Sequence, residues 1–244
     1  MSALKTKRVG HKGADLIAPG NTLASFDAAR TAGVEMIEFD VLPGLGADGR
    51  PDPARGRLLL AHDYEDAARA DVLGLGDGLA HLAGPAFDGI ELDVDLKIPG
   101  YELRVVDALR SHGLVGRTLI STTYPQSLAR IRAYEPALRL GWSVPRAKRD
   151  YTTSALLKLP AYGAVLVMRQ ALPRRAVEAL RARRCDALMV HWRLVTQRLV
   201  DEIARAGGEL YVWTVDDAEQ IAKLVAMGVT GVITNDPRLF PAAG

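Results

Sequence analysis

Acidic residues two positions apart interrupt an apolar segment near the N-terminus of this 244-residue chain. Residues 35–41 read EMIEFDV. In an extended strand successive side chains point to opposite faces, so Glu38 and Asp40 share one face. A strand that is covered on both faces normally reads as a continuous apolar run, which makes two carboxylates there expensive. Their type and spacing therefore indicate a site rather than an ordinary core position.

A second segment shows the same pattern more strongly. Residues 89–97 read GIELDVDLK, which places Asp95 and Lys97 on one face with the acidic residues at 91 and 93. Carboxylates gathered in an interior repel one another and lose hydration, at a cost of several kcal/mol for each unpaired ion. We expect Lys97 and a bound cation to compensate. Hard oxygen ligands favour Mg²⁺ or Ca²⁺ over zinc, and an ion-pair network around Lys97 without metal is the alternative.

Two histidines follow short apolar segments: His11 comes after RVG, and His62 comes after LLLA. Imidazole titrates near neutral pH, so one ring can accept a proton while the other donates one. Asp63 could orient its histidine neighbour. A divalent cation, two histidines and the ammonium groups of Lys12 and Lys97 suit reactions of phosphate esters, because cations neutralise the phosphoryl oxygens.

The elements that must position these residues alternate between strand and helix along nearly the whole chain. This alternation is typical of parallel strands with crossover helices, and the length suits a (β/α)8 TIM barrel formed by a single domain, residues 1–244. Catalytic groups of such barrels lie at the carboxyl ends of the strands, so Glu38, Asp40 and Asp95 are the expected metal ligands. Nine strand candidates compete for eight places: 7–11, 35–41, 57–62, 89–97, 117–122, 138–144, 186–191, 209–215 and 231–234.

The segment 57–62 is expected to lie outside the barrel, in a long loop above the second strand. Residues 164–168 fit either a strand or a buried helix. Asn21 and Asp216 are predicted as the N-caps of the first and last helices. Helices are predicted at 22–32, 101–112, 125–134, 173–183, 196–206 and 217–227.

Composition excludes several classes of protein. With 48% hydrophobic and 25% charged residues, the chain is an ordinary globular protein and not a disordered or fibrous one. The net charge of +2 argues against a nucleic-acid partner. No apolar run approaches the roughly 18 residues of a membrane span, and the N-terminus lacks an apolar signal segment, so we expect a cytoplasmic protein without stable membrane insertion.

Short motifs keep a fixed order along residues 8–240. They are HKG at 11–13, APGNT at 18–22, EFDV at 38–41, HD at 62–63, DLK at 95–97, STT at 121–123, WTVD at 213–216 and GVITNDP at 231–237. As a set they resemble the glycerophosphodiester phosphodiesterase family. The resemblance implies a TIM barrel with one divalent cation, Mg²⁺ or Ca²⁺, that hydrolyses a small-molecule glycerophosphodiester to glycerol 3-phosphate and an alcohol.

The resemblance also implies roles for individual residues. Glu38, Asp40 and Asp95 would hold the metal, and His11 and His62 would be the catalytic acid and base, in an order that the sequence leaves open.

The substrate would meet other residues. Lys12 would contact its phosphate, Lys97 would contact the phosphate or a metal-bound water, and Trp213 would form an apolar wall for its glycerol.

The sequence departs from the family pattern at four places. The family usually has Arg at position 12, Glu at position 20 and an aromatic residue near the STT motif, where this chain has Lys12, Gly20 and residues 121–123. Its usual Glu-x-Lys motif is DLK at 95–97 here. Asp95 is one methylene shorter than Glu, so Asp93 could share in the coordination.

Spacing and loop composition leave alternatives open. Only 32 residues separate Asp63 from Asp95, which predicts a reduced insertion after the second strand. The alternative enzymes are a lysophospholipase D and a sphingomyelinase D-like lipid phosphodiesterase, although the loop 43–57 is polar where such enzymes favour apolar loops. The alternative from another class is a non-catalytic relative that binds a phosphorylated ligand.

Overall fold

Eight strands pair edge to edge and close into a barrel, which confirms the predicted (β/α)8 fold. The structure is a computed structural model and describes residues 6–145 and 158–240. All eight pairings around the ring are parallel, and the first strand pairs with both the second and the last. The strands are β1 (Lys7–Gly10), β2 (Met36–Pro43), β3 (Leu58–Leu59), β4 (Glu91–Leu96), β5 (Thr118–Thr122), β6 (Arg139–Val144), β7 (Ala187–His191), β8 (Glu209–Trp213) and β9 (Gly231–Thr234).

Strand β3 is the one that stands outside the ring. It pairs antiparallel with the end of β2, where Leu59 lies opposite Leu42. The extra strand candidate is therefore confirmed as part of the excursion above the second barrel strand, although only two of its residues are extended.

Helices cover the outside of the barrel and connect its strands. Those in the described part of the chain are α1 (Leu23–Thr31), α2 (Tyr64–Ala67), α3 (Leu75–Leu82), α4 (Glu102–Ser111), α5 (Pro125–Tyr134), α6 (Lys158–Arg181), α7 (Gln197–Arg205) and α8 (Ala218–Met227). Of these, none has both the length and the apolar character needed to cross a membrane. The cytoplasmic location stays a prediction.

Three helices differ from the expectations, and one of them, the four-residue α2, was not predicted. The start predicted for α6 at Pro173 is wrong, because the helix begins at Lys158 and contains this proline, together with the ambiguous residues 164–168. Helix α3 was not predicted at all. Its sequence LGDGLAHL carries two glycines, which weaken helix propensity, and its helical pattern rests on the buried Leu75, Leu79 and Leu82.

Both predicted N-caps are displaced by one residue. Thr22, not Asn21, caps α1: its hydroxyl accepts from the amide of Ser25, whose own hydroxyl accepts from the amide of Thr22. Asp217, not Asp216, caps α8 by accepting from the amide of Gln220. The displacement leaves the side chains of Asn21 and Asp216 available for other contacts.

The barrel interior is divided along its axis. At the amino ends of the strands, Glu91 is held by Lys7 at 2.5 Å and by Arg139. Above this ion-pair network lies a layer of apolar side chains, to which Val9, Met36, Leu119, Met189, Tyr211 and Ile233 belong. This layer separates the lower charges from the acidic residues at the carboxyl ends.

The cap at Thr22 fixes the point where the loop after β1 enters α1. We expect Thr22→Ala to lower the free energy of unfolding by about 1 kcal/mol, because the amide of Ser25 then loses its side-chain acceptor. Thr22→Ser keeps the hydroxyl and should keep most of the stability in urea denaturation. An equal loss in both variants would contradict the capping role and point to the methyl group.

Candidate active site

The carboxyl ends of the strands open into a cavity of about 450 Å³. The parallel register of β2 and β4 places Glu38 beside Asp93 and Asp40 beside Asp95, so the acidic residues of the two strands meet at one level. As predicted from their spacing, they face the interior. The polar and charged lining consists of His11, Glu38, His62, Asp93, Asp95, Lys97, Ser121, Thr123, Tyr124, Ser143 and Thr214.

Three carboxylates converge at the base of this cavity. Oxygen atoms of Glu38, Asp40 and Asp95 lie within 4.8 Å of one another. The ammonium group of Lys97 lies 2.5 Å from Asp40 Oδ1 and 2.5 Å from Asp95 Oδ2. The sequence therefore identified four residues that the fold brings into one charged cluster.

The loop after β1 orients the carboxylates of β2. The backbone amide of Lys12 donates to Glu38 Oε2 at 2.8 Å. The Asn21 side chain donates to Asp40 Oδ2 at 2.9 Å and accepts from the Asp40 amide at 3.1 Å. Lys12 and Asn21 both adopt positive φ angles, of 49° and 58°, which turn the loop back over the strand. Asn21 was expected to cap a helix, and it holds a carboxylate instead.

Burial and neighbouring charges shift the pKa values of these groups. Burial, together with the charge of Asp40, raises the pKa of Glu38 well above its usual range. Burial also opposes the charge of Asp40, but the ammonium of Lys97 outweighs it and holds the pKa of Asp40 below its usual range. The pKa of Lys97 is raised, because Asp40 and Asp95 outweigh the effect of burial.

The donor set fits a divalent cation. Three buried or partly buried carboxylates face a single ammonium group, so the cluster has more negative charge than Lys97 can balance. All the donors are carboxylate oxygens, which are the ligands that Mg²⁺ and Ca²⁺ prefer. Glu38, Asp40 and Asp95 are the residues that could hold such an ion.

A chain of hydrogen bonds fixes the ring of His11. Its Nδ1 lies 2.6 Å from Asn235 Oδ1, and the amide nitrogen Nδ2 of Asn235 donates to Asp216 Oδ2 at 2.6 Å. Asp216 also accepts from the backbone amide of Asn235 at 2.8 Å. Because the carboxylate must face the amide nitrogen, the amide oxygen faces His11, whose Nδ1 is then the donor. In the neutral ring Nε2 is left as an acceptor.

The other nitrogen of His11 faces the acidic cluster. His11 Nε2 lies 3.9 Å from Glu38 Oε2. Burial lowers the pKa of His11 from its ordinary value of 6.5, although Asp40 and the bond to Asn235 act in the opposite direction. The neutral ring is therefore favoured, with its accepting nitrogen turned towards the cavity.

His62 lines the cavity from the excursion after β2. Its side chain is half exposed, and its Nδ1 lies 3.6 Å from Asp63 Oδ2. The other carboxylate oxygen of Asp63 caps α2 by accepting from the amides of Glu65 and Asp66. The two histidines thus reach the same cavity from different elements and in different degrees of burial.

The side chain of Lys12 lies apart from the cavity of the two histidines. Its ammonium group pairs with Asp15 Oδ2 at 3.3 Å and lines a neighbouring cavity of about 170 Å³. Asp15 also accepts from the amide of Gly20 at 2.7 Å. A Cβ atom at position 20 would lie 2.5 Å from Asp15 Oδ1, so Asp15 takes the space that a side chain at Gly20 would need.

Aromatic residues form part of the wall. Trp213 lines the cavity, and the ring of His191 packs edge-on against it with centroids 5.1 Å apart. Residues 121–123, where the family pattern has an aromatic residue, contribute Ser121 and Thr123 to the lining, and Tyr124, one position later, also lines the cavity. This aromatic residue could have been found from the sequence, because it directly follows the STT motif.

Asp93 is a further buried carboxylate, on the strand that carries Asp95. It is 1% exposed, and its Oδ1 has no hydrogen-bond donor among the residues that the structure describes. Burial raises the pKa of Asp93 to about 8, and the nearby charge of Asp95 adds to the rise. At neutral pH most of this group is therefore protonated.

Comparison with known proteins identifies this arrangement. The profile of the glycerophosphoryl diester phosphodiesterase family matches residues 89–239. The chain belongs to this family. It is 24% identical to a glycerophosphodiester phosphodiesterase of Caldanaerobacter subterraneus, over 96% of this chain and 96% of that protein.

Solved structures have the same fold. A crystal structure of a Silicibacter pomeroyi protein matches with a TM-score of 0.71 and 20% identity, over 98% of this chain and 92% of that one. An Oleispira antarctica phosphodiesterase, solved in complex with the product sn-glycerol-3-phosphate, matches with a TM-score of 0.69 and 20% identity, over 95% of this chain and 94% of that one. The likeness shows that phosphodiesterases of this family share the barrel described above.

Asp216 should act on turnover through Asn235 and His11. We expect Asp216→Ala to lower kcat for phosphodiester hydrolysis about 10- to 100-fold, because the amide of Asn235 is then free to turn and His11 loses its fixed orientation. Asp217→Ala is the matched control, since it removes the adjacent helix cap and should change stability but not kcat. Equal losses of kcat in both variants would contradict the positioning role.

Asp93 should make stability depend on pH. A carboxyl group whose pKa is 3.8 unfolded and about 8 folded destabilises the protein increasingly as pH rises through this window. We expect Asp93→Asn, in chelator, to be more stable than the wild type, with a gain that grows from pH 4 to pH 8. Denaturation at several pH values measures the gain, and the exposed Asp88→Asn serves as the flat control. A gain independent of pH would contradict the raised pKa.

Proposed function

We propose that this protein is a metal-dependent phosphodiesterase that hydrolyses glycerophosphodiesters to glycerol 3-phosphate and an alcohol. The observation that carries the proposal is that His11 and His62 line one cavity with the carboxylate cluster. Two groups that can transfer protons are needed for hydrolysis, whereas a protein that only binds a phosphorylated ligand needs neither.

Glu38, Asp40 and Asp95 would hold the divalent cation, Mg²⁺ or Ca²⁺. When bound, such an ion neutralises the charge of the phosphoryl oxygens and helps to orient the substrate. Lys97, which lies between two of the three carboxylates, would add a second positive charge on the same side of the phosphate.

The hydrogen bonds of His11 suit it to accept a proton. Asn235 occupies Nδ1, burial favours the neutral ring, and Nε2 faces the cavity. His11 would take the proton from the attacking oxygen. His62, half exposed and beside Asp63, would give its proton to the alkoxide of the leaving alcohol. Trp213 would form the wall against the glycerol moiety.

Removal of either histidine should abolish most of the activity. With glycerophosphocholine and added Mg²⁺ or Ca²⁺, we expect His11→Ala and His62→Ala to reduce release of glycerol 3-phosphate about 10²- to 10⁴-fold, as loss of general acid–base catalysis does. A nitrophenyl phosphodiester has a nitrophenolate leaving group that needs no proton. With this substrate His62→Ala should recover most of the wild-type rate of hydrolysis, and His11→Ala should not.

His112→Ala is the matched control, because this residue lies at the end of α4, where its Nδ1 is within hydrogen-bond distance of Ser111 and Ala108 of the same helix. Chelator-stripped protein should release no product until metal is added. Metal-independent release would contradict the role of the carboxylates. A folded protein that binds glycerol 3-phosphate but never turns over a diester would favour the non-catalytic alternative.

A further inference from the structure

A smaller cavity of about 170 Å³ lies beside the cavity of the two histidines. The loop after β1 forms one of its sides, beginning with Lys12, and the excursion after β2 forms the other. Lys12 directly follows His11, and Ala61, which also lines the smaller cavity, directly precedes His62. Both walls of the smaller cavity therefore continue from the residues that line the larger one.

The carboxylate of Asp66 connects the two cavities. Asp66 lies on α2 and lines the smaller cavity. One of its oxygen atoms lies within 4.8 Å of a ring nitrogen of His62, which lines the larger cavity. Asp63 belongs to the same group, but its carboxylate already caps α2. A substrate group that extends from the nitrogen of His62 into the smaller cavity therefore meets Asp66 within a few atoms.

The charged side chains of the smaller cavity leave one negative charge unbalanced. Lys12 pairs with Asp15 at 3.3 Å, and Arg69 pairs with Asp71 at 3.4 Å. In the described parts of the chain, the carboxylate of Asp66 has no lysine or arginine partner, and Asp66 is only partly exposed. The cavity therefore favours a cationic ligand over a neutral or an anionic one.

The rest of the lining is apolar and well fixed. It consists of Leu60, Ala61, Val72 and Leu73. The amide of Leu60 donates to the carbonyl oxygen of Leu73 at 2.8 Å, and Leu59 pairs antiparallel with Gly74, so the two segments form one surface. An alkylammonium ion suits such a place, because its carbon atoms are apolar and its nitrogen carries the positive charge.

We propose that the smaller cavity binds the head group of the substrate and that Asp66 selects head groups with an alkylammonium ion, such as choline and ethanolamine. The inference rests on the proposed function, in which His62 gives its proton to the leaving alcohol. In both alcohols two carbon atoms separate the oxygen from the nitrogen. An ammonium group beside Asp66 therefore keeps the leaving oxygen close to His62.

The test compares two substrates of the same shape and different charge. They are glycerophosphocholine and the 3,3-dimethylbutyl ester of glycerol 3-phosphate, in which a carbon atom replaces the nitrogen of choline. We expect the wild type to hydrolyse the choline ester with a kcat/KM about three- to tenfold higher, as one partly exposed ion pair provides. A higher salt concentration should narrow this difference, because salt screens the charge of Asp66.

Asp66→Asn should remove most of the preference. We expect it to lower kcat/KM for glycerophosphocholine and glycerophosphoethanolamine about three- to tenfold and to leave that for the neutral ester unchanged. Glu65→Gln is the matched control, because this neighbouring residue of α2 is exposed and lines neither cavity. It should change the kcat/KM of no substrate.

Two outcomes would overturn the inference and leave the proposed function intact. One is a wild type that hydrolyses the choline ester and the neutral ester equally well. The other is an equal fall for both esters in Asp66→Asn, which would show that Asp66 acts through His62 and not through the head group. Failure of the wild type to hydrolyse any of these diesters with Mg²⁺ or Ca²⁺ would overturn the proposed function itself.

Discussion

One ammonium group, that of Lys97, holds the catalytic end of this barrel together. It lies between Asp40 and Asp95, on adjacent strands, at 2.5 Å from each. Without it the parallel register of β2 and β4 would set carboxylates directly against one another in a buried place. The hydroxyl of Tyr101 reinforces the same junction, because it donates to the carbonyl oxygen of Val41 at 2.5 Å and accepts from the amide of Lys97 at 3.0 Å.

Hydrogen bonds between the ends of neighbouring strands orient the rest of the site. The loop after β1 orients the acidic side chains through the Lys12 amide and Asn21. His11 is oriented in turn from the carboxyl ends of β8 and β9, through Asp216 and Asn235. Groups from strands distant in sequence are therefore held in register only because the ring is closed.

The residues that could be predicted from the sequence are those whose position follows from a local period. Alternation of side chains along a strand was enough to place Glu38 and Asp40 on the interior face, and the same holds for Asp95 and Lys97. The alternation of strands and helices was enough for the barrel. In both cases the prediction depends only on residues that are close together in the sequence.

What could not be predicted depends on partners far away in the chain. Asn21 and Thr22 are both good capping residues, and Asn tolerates the positive φ that the loop requires, so only the contact with Asp40 decides which one caps α1. In the same way, the carboxylate of Asp216 accepts hydrogen bonds from Asn235 and does not cap α8. The ammonium group of Lys12 pairs with Asp15 and does not point into the cavity of the two histidines. The spacing of residues in the sequence does not predict this pairing.

The dual attachment of the loop after β1 restricts how this enzyme can diversify. An insertion or deletion there would move both the Lys12 amide and the Asn21 side chain, so it would change the orientation of Glu38 and of Asp40 at the same time. The segment between β2 and α3 reaches the same cavity at His62, which helps to lower the pKa of Asp40. Residues 44–57 of this segment precede His62 and do not line that cavity, so changes of length and composition there leave the carboxylate cluster and both histidines in place.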